Sequence, residues 1–264
     1  MVKKAADQGY TEPMNIFKQS ILSHRTSLSV FIAAALMLLV APPSHSQGTR
    51  ILFREDFNSL ESWRPLYFPK ISRHTTYTIE IENDESFLKA ESSASASAII
   101  YNREFNVYDY PGVRWRWKVS NIYLDAKPEK KSGDDYPIRV YVIFKYDPET
   151  AHVLDKIRYG VARKLYGEYP PHSTLNYVWA NSEGQKAIIT SPYTDKARLI
   201  ALEKGKGKTG AWQHEEVNIL QDYRAAFGTD PPAAASIAIM NDSDNTGQAS
   251  VSYLDFIEVF KDGR

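Results

Sequence analysis

The chain contains no cysteine among its 264 residues. Without thiols it cannot form a disulfide framework, a thiolate zinc site or a cysteine nucleophile. It also lacks the cysteine that carries the lipid of an exported lipoprotein. The fold must therefore be stabilised by its core alone.

A surplus of charge of either sign is missing as well. The 32 basic residues balance 32 acidic ones, and without the first 46 residues the counts are 28 and 30. Nucleic-acid binding normally requires a basic excess or stripe that meets the phosphates. Only the short stretches 130–131 and 204–208 are basic, so we expect no nucleic-acid partner.

Motifs for several kinds of cofactor are absent. The chain has no Gly-x-Ser-x-Gly elbow, phosphate loop or dinucleotide fingerprint. His152, His172 and His214 lie far apart and without the spacing of zinc ligands. The sequence therefore predicts no nucleotide, haem or zinc cofactor, and it argues against a serine triad.

One uncharged apolar segment stands near the N-terminus. Residues 27–40 (SLSVFIAAALMLLV) follow Lys18 and Arg25 and precede the small-x-small triplet 44–46. This order is typical of a signal peptide cleaved before Gln47, and the segment is shorter than the roughly 20 residues that span a bilayer. We predict a signal peptide over 1–46, with Met14 as an alternative start that would make 1–13 a misassigned extension. The cleaved protein would be periplasmic or secreted and would have no membrane span.

After this segment, short stretches rich in β-branched and aromatic residues alternate with Gly, Pro, Asn and Asp, which is typical of antiparallel strands. Twelve strands are predicted, at 50–55, 75–82, 86–91, 97–102, 112–121, 137–146, 174–181, 186–190, 197–203, 212–219, 235–241 and 249–260. Helical spacing of apolar residues predicts two short connecting helices, at 149–166 and 219–227. Twelve strands imply two stacked sheets, so we predict one all-β sandwich domain over 47–264.

Two of these strands alternate clearly between apolar and polar rows. On the strand at 112–121, one row is Val113, Trp115, Trp117 and Val119, and the other contains Arg114 and Arg116. On the strand at 137–146, the even-numbered row is apolar, and the other row contains Arg139 and Tyr141. The polar rows predict the floor of a polar groove on a curved sheet.

Several separated motifs resemble one bacterial family, the domain-of-unknown-function 3047 family. They are GDDYPIRVYVIF (133–144), YVWA (177–180), DY (222–223), FG (227–228), IAIM (237–240) and DSDNTG (242–247). The resemblance implies an exported antiparallel sandwich of jelly-roll, lectin-like or concanavalin-like shape, related to sugar-binding modules and lectin-like glycosidases. A fold does not determine a function.

The same resemblance implies a second set of candidate metal ligands. Sandwiches of this kind often open with a Glu-Asp-Phe strand followed by Trp and close with an Asp-bearing strand. Glu55 and Asp255 occupy these positions here, with Trp63 after the first strand. Phe256 stands where a second acidic residue is common, which weakens a metal site at this place.

The turn after the strand at 235–241 is rich in hard oxygen ligands. Asp242, Asp244 and Asn245 are followed by a glycine that permits a tight bend, which favours calcium binding. Tyr253 stands where an EF-hand has its bidentate Glu, so the EF-hand itself is excluded. The alternative is an Asx-rich turn that satisfies its own backbone.

Asp134 and Asp135 stand at the entry to the strand that carries Arg139. Together with Asp242 or Asp244 they are candidates for general acid and base catalysis on a glycosidic bond. The alternative is a salt bridge to Arg139 or Arg116 combined with ordinary turn chemistry.

Aromatic side chains complete the candidate site. Trp115 and Trp117 share a row with valines and are expected in the core, whereas Tyr177 and Trp179 share a row with Asn181 that suits a groove wall. The leading hypothesis is a glycan-binding groove lined by Arg116, Arg139, Tyr141, Tyr177, Trp179, Asp242, Asp244 and Asn245. The alternatives are a glycan hydrolase or lyase and a structural or partner-binding envelope protein. No oligomeric state follows from the sequence.

Overall fold

The computed structural model describes residues 48–149, 159 and 169–263. The segment predicted as a signal peptide, the predicted cleavage point and nearly all of the helix predicted at 149–166 lie outside these residues. The signal peptide, its cleavage point and this helix therefore remain predictions. Within the described part of the chain, no helix has the length and apolar character required to span a membrane.

The described residues form an all-β, jelly-roll-type sandwich of two sheets, as predicted from the sequence. Its strands are β1 Arg50–Glu55, β2 Trp63–Leu66, β3 Thr76–Glu82, β4 Glu85–Ser93, β5 Ala96–Asn106, β6 Gly112–Val119, β7 Tyr136–Phe144, β8 Ser173–Ala180, β9 Ile188–Thr190, β10 Ala197–Lys204, β11 Gln213–Asn218, β12 Ala234–Asp242 and β13 Ala249–Lys261. All twelve predicted strands are present. The additional strand is β2, whose Pro65 interrupts the sequence pattern and is tolerated because β2 lies at a sheet edge.

The two sheets contain six and seven strands. The order in the six-stranded sheet is β11-β6-β13-β4-β3, and β1 also pairs with β13. The order in the seven-stranded sheet is β2-β5-β12-β7-β8-β10-β9. All pairs are antiparallel except β8 with β10, which run parallel. This order places β7 and β8 well inside the second sheet, where both of their faces are available for packing.

The core between the sheets is rich in large aromatic rings. Trp115 and Trp117 on β6 face Tyr177 and Trp179 on β8, with ring centroids 5.4 Å apart for Trp115 and Tyr177 and 6.1 Å apart for Trp117 and Trp179. All four side chains are fully buried. Because successive strand residues point to opposite faces, the other row of β8 must face outward.

The α-helix α1 (Ile219–Phe227), in the described part of the chain, confirms the second helix prediction. The side chain of Asn218 accepts a hydrogen bond from the backbone N–H of Gln221 and caps the first turn. Gly228 ends the helix with φ of 73°, a left-handed conformation that glycine adopts without strain. Ile219 and Tyr223 are the buried residues of the helix, and they join the main core.

Candidate functional site

A pocket of about 690 Å³ opens on the outer face of the seven-stranded sheet. Its floor comes from β7, β8 and β12, and its rim comes from the segment before β3, the loop before β10 and the turn after β12. The lining residues are Phe68, Pro69, Lys70, Ile71, Asp134, Arg139, Tyr141, Asn176, Ser191, Tyr193, Ala197, Met240, Asp242, Asp244 and Asn245. This volume is within the range of small-molecule sites.

Strand alternation explains why polar residues meet on this floor. The register pairs Arg139 on β7 with Met240 on β12, so the side chains of these two residues and of Tyr141 and Asp242 emerge on the same face. The opposite rows of both strands, including Val140 and Ile239, fill the core. The floor is therefore a row of polar side chains supported by an apolar layer.

Arg139 and Asp242 form a buried ion pair at the base of the pocket. Nε of Arg139 donates to Oδ1 of Asp242 at 2.8 Å, and Nη2 donates to Oδ2 of Asp242 and to the backbone oxygen of Asp134. The side chain of Asp134 lies 3.5 Å from Nη1 of Arg139. The guanidinium is thus held by two carboxylates and a carbonyl.

The turn after β12 is held by Asp135. Its Oδ1 accepts from the backbone N–H and the side-chain amide of Asn245, and its Oδ2 accepts from the N–H of Thr246 at 2.6 Å. Gly247 completes the bend with φ of 69°. Asp135 therefore has the turn-stabilising role that the sequence left as an alternative to catalysis.

Three carboxylates come together at this turn. Asp135, Asp242 and Asp244 each offer an oxygen atom, and these atoms all lie within 4.8 Å of one another. Such a group could hold a metal ion. Burial raises the pKa of Asp242 to about 7, although the Arg139 guanidinium opposes the shift. Burial also raises the pKa of Asp134 and of Asp244.

Among the residues that the structure describes, two buried polar atoms of the pocket lack a hydrogen-bond partner. They are Oδ1 of Asn176 and Oδ1 of Asp134, in residues that are 3% and 4% exposed, and Oδ1 of Asp134 has only the ion-pair contact with Nη1 of Arg139 at 3.5 Å. A buried polar atom without a partner costs about 1–3 kcal/mol. Such atoms are therefore the places where a ligand gains most by supplying a hydrogen bond.

Aromatic and apolar side chains form the walls. Tyr193 is 53% exposed, and its hydroxyl lies 2.9 Å from the backbone oxygen of Lys131 and 3.1 Å from Oδ1 of Asn245. Phe68 and Ile71 pack with Met240 and Tyr141 on the outer face of the sheet. The pocket thus combines a polar floor with aromatic and apolar sides.

The structure places three of the predicted groove residues elsewhere. Tyr177 and Trp179 belong to the inward row of β8 and are fully buried between the sheets. Arg116 lies on the outer face of the other sheet, where its Nε is 2.8 Å from Asp255. The predicted groove is therefore corrected to Arg139, Tyr141, Asp242, Asp244 and Asn245. Asp134 lines the same pocket.

The second predicted pair of metal ligands is not brought together. Oε1 of Glu55 accepts from the backbone N–H of Phe57 at 2.7 Å, whereas Asp255 pairs with Arg116. Among the described residues, neither belongs to a group of three potential ligands. The two carboxylates are committed to separate local partners, which corrects this prediction.

Sequence reasoning missed the residues that complete the pocket. Strand alternation predicts Asn176 in the pocket once Tyr177 and Trp179 are assigned to the core, because Asn176 lies on the opposite row of β8. Tyr193 and Phe68 lie in connections between strands, and no periodic pattern marks them. Only the path of the folded chain brings these two residues to the pocket.

The chain belongs to the family described as protein of unknown function (DUF3047). The family's sequence model matches residues 61–258, which include every residue that lines the pocket. A search of curated protein sequences found no significant match.

Solved structures that align with this chain include a lectin, an endoglucanase and a tailspike domain. A lectin from Bauhinia forficata aligns with 9% identity and a TM-score of 0.38, over 80% of this chain and 99% of the lectin. Endoglucanase 3 from Trichoderma harzianum, of family GH12, aligns with 7% identity and a TM-score of 0.36, over 77% and 100%. The enzymatically active domain of tailspike protein 4 from bacteriophage CBA120 aligns with 7% identity and a TM-score of 0.34, over 78% of this chain and 20% of the tailspike chain. These TM-scores lie below 0.5, and no residue correspondence follows from them.

Proposed function

We propose that the protein binds a carbohydrate or similar polar glycan in the pocket on the seven-stranded sheet. The observation that carries the proposal is the buried oxygen of Asn176, which has no hydrogen-bond partner among the described residues and lines the same pocket as the exposed ring of Tyr193. Sugar hydroxyls supply hydrogen bonds to such oxygens, and the apolar face of a sugar ring packs on aromatic side chains. The Arg139–Asp242 ion pair holds the floor in place before a ligand arrives.

Binding fits the carboxylate geometry better than hydrolysis does. General acid and base catalysis needs carboxylates that are free to exchange a proton with the substrate. Here Asp242 is bonded to Arg139, and Asp135 accepts three hydrogen bonds from Asn245 and Thr246. Catalysis by Asp134 or Asp135 remains a prediction, and the hydrolase or lyase is the alternative to binding.

The experiment is thermal unfolding of the purified protein with a panel of envelope and plant glycans. A ligand that binds only the folded state raises the unfolding midpoint, by about 2.7 kcal/mol in stability at one hundred times Kd. The decisive variant is Asn176→Leu, which removes the partnerless oxygen at similar volume. We expect it to lose the shift while the free protein stays at least as stable. Asn102→Leu, at an exposed asparagine on β5, is the matched control.

A shift that survives in Asn176→Leu would contradict this pocket as the binding site. Absence of a shift with every glycan would instead favour a structural or partner-binding role. Products released from any glycan that binds would favour the hydrolase or lyase.

Calcium is a second candidate ligand, favoured by the three clustered carboxylates. Asp135 and Asp242 already accept hydrogen bonds on both oxygens, so an ion would have to share these lone pairs. We expect affinity no tighter than that of weak extracellular sites, about 10⁻⁴–10⁻³ M. A midpoint shift with CaCl₂, absent with EDTA or with NaCl of equal ionic strength and lost in Asp244→Asn, would support it. The absence of this shift would exclude calcium as a ligand.

We also propose that the protein acts in the periplasm or outside the cell, after cleavage before Gln47. The support is the order of basic, apolar and small residues in 1–46. Mass spectrometry of the protein from the periplasm or medium should find Gln47 as the first residue. An uncleaved cytoplasmic product would contradict the proposal.

A further inference from the structure

The pocket has an excess of negative charge, and this excess narrows the class of ligand. Asp134, Asp242 and Asp244 line the pocket, and Asp135 lies close to Asp242 and Asp244 without lining it. The guanidinium of Arg139 pairs with Asp242 and lies 3.5 Å from Asp134. Lys70 is the other cation among the lining residues, and it is exposed at the rim. The lining carboxylates outnumber the lining cations, so the site favours a positively charged group.

The hydrogen-bonding groups of the pocket that remain free are mainly acceptors. Nε and Nη2 of Arg139 already donate to Asp242 and to the backbone of Asp134. The hydroxyl of Tyr193 has carbonyl oxygens as partners, and that of Tyr141 donates to the sulfur of Met240. The partnerless atoms are oxygens, on Asn176 and Asp134. The pocket therefore offers mainly acceptors and needs a ligand rich in donors.

We propose that the ligand is a glycan carrying a free, protonated amine, that is, an amino sugar without its acetyl group. The inference rests on the proposed glycan binding and names the chemical class of the glycan. An ammonium group has three donors, no acceptor and one positive charge, so it matches both imbalances. It binds at the acidic end of the pocket against Asp244 and Asp134. The ring of Tyr141 adds cation–π attraction, whereas the ring of Tyr193 already has the ammonium of Lys131 5.5 Å from its centroid.

A divalent metal ion fits these carboxylates less well than an ammonium group does. Calcium takes six to eight oxygen ligands, whereas Asp135 accepts three hydrogen bonds and Asp242 is bonded to Arg139 and to the N–H of Tyr136. Asp244 and Asp134 retain the free lone pairs. Two carboxylates with free oxygens fit one ammonium group better than they fit a calcium ion.

The test compares two ligands that differ only at the nitrogen. Tetramers of glucosamine and of N-acetylglucosamine are titrated into the purified protein by calorimetry near pH 7, at low salt and with EDTA present. We expect the glucosamine tetramer to bind at least about tenfold more tightly. The preference should weaken with added NaCl, because charge attraction is screened.

Variants at the acidic end assign the preference to this pocket. Asp244→Asn removes one charge at a partly exposed position, and we expect it to abolish most of the preference for the amine. Asp109→Asn removes a charge from an exposed turn that does not line the pocket, and it should keep the preference. The unliganded unfolding midpoint of each variant verifies that it is folded.

The outcomes separate this inference from the proposed function. Equal binding of both tetramers, or an unchanged preference in Asp244→Asn, would overturn the amine assignment and leave glycan binding intact. No binding by either tetramer or by any glycan of the panel would overturn both. Binding that appears only when CaCl₂ replaces EDTA would overturn the amine in favour of a bridging metal ion.

Discussion

Arg139 and Asp242 face each other on neighbouring strands beneath the pocket, with Nε of Arg139 donating to Oδ1 of Asp242 at 2.8 Å. Both residues are almost fully buried. The pair joins β7 to β12 on the outer face of the sheet, at the point where β12 leads into the acidic turn. The pair thus links the floor of the pocket to the start of the acidic turn, which Asp135 holds from its other side.

Arg139→Met should strongly destabilise the protein, because it leaves the Asp242 carboxylate buried without its partner. We expect the free energy of unfolding to fall by about 3–5 kcal/mol above pH 7. The loss should be smaller at pH 5, since burial raises the pKa of Asp242 and protonation removes the buried charge. Urea unfolding at both pH values measures this. The double variant Arg139→Met/Asp242→Asn should recover much of the loss, and equal stability of the two variants would contradict the argument.

Trp179→Phe should lower stability without weakening ligand binding, because Trp179 belongs to the core. Its Nε1 donates to the backbone oxygen of Gly205 at 3.0 Å, and its ring packs on Trp117. Losing the hydrogen bond and some volume should cost about 1–3 kcal/mol. The glycan midpoint shift should persist. Tyr193→Ala is the converse variant, with a small effect on stability and a reduced shift.

Glu215→Gln should make the protein more stable at high pH. Burial and the nearby Glu203 raise the pKa of Glu215 to about 7. Because the folded state holds this proton more tightly than the unfolded state, the contribution of Glu215 to stability falls as pH rises from about 4.5 through 7. Glutamine keeps an acceptor for Nε1 of Trp117 and carries no charge.

After a discount for solvent screening, we expect the glutamine variant to gain about 1 kcal/mol at pH 8 and to match the original protein at pH 4. Urea unfolding across this range measures the difference. A difference that does not vary with pH would show that Glu215 is not the titrating group.

Gly112→Ala should destabilise the six-stranded sheet. A Cβ atom at Gly112 would lie 2.7 Å from the ring of Phe260, which is itself buried. Forcing the ring to move should cost about 1–3 kcal/mol. Gly207→Ala is the control, because nothing lies within 4 Å of its added Cβ. Unfolding midpoints of both variants test this, and equal midpoints would contradict it.

The strands and the two sheets were predicted from local pattern, and the family from the resemblance of several motifs, and all three are confirmed. Alternation placed Trp115 and Trp117 in the core and Arg139 and Tyr141 on the outer face, because both strands carry a clear contrast between their two rows. On β8 the contrast is weak, since both faces of this interior strand are covered. The aromatic row of β8 was therefore assigned to the wrong face.

What the sequence by itself determined was the β-sandwich, the acidic turn and the polar row of β7, because each depends on neighbours close in the chain. The tertiary structure determined which of these features lie together in one pocket. Arg116 and Arg139 have similar settings in their own strands, but they lie on different sheets, whose outer faces point away from each other. Tyr193 and Phe68 reach the same pocket through connections whose course no local pattern records. A binding site is a set of long-range contacts, and only packing of the whole chain specifies them.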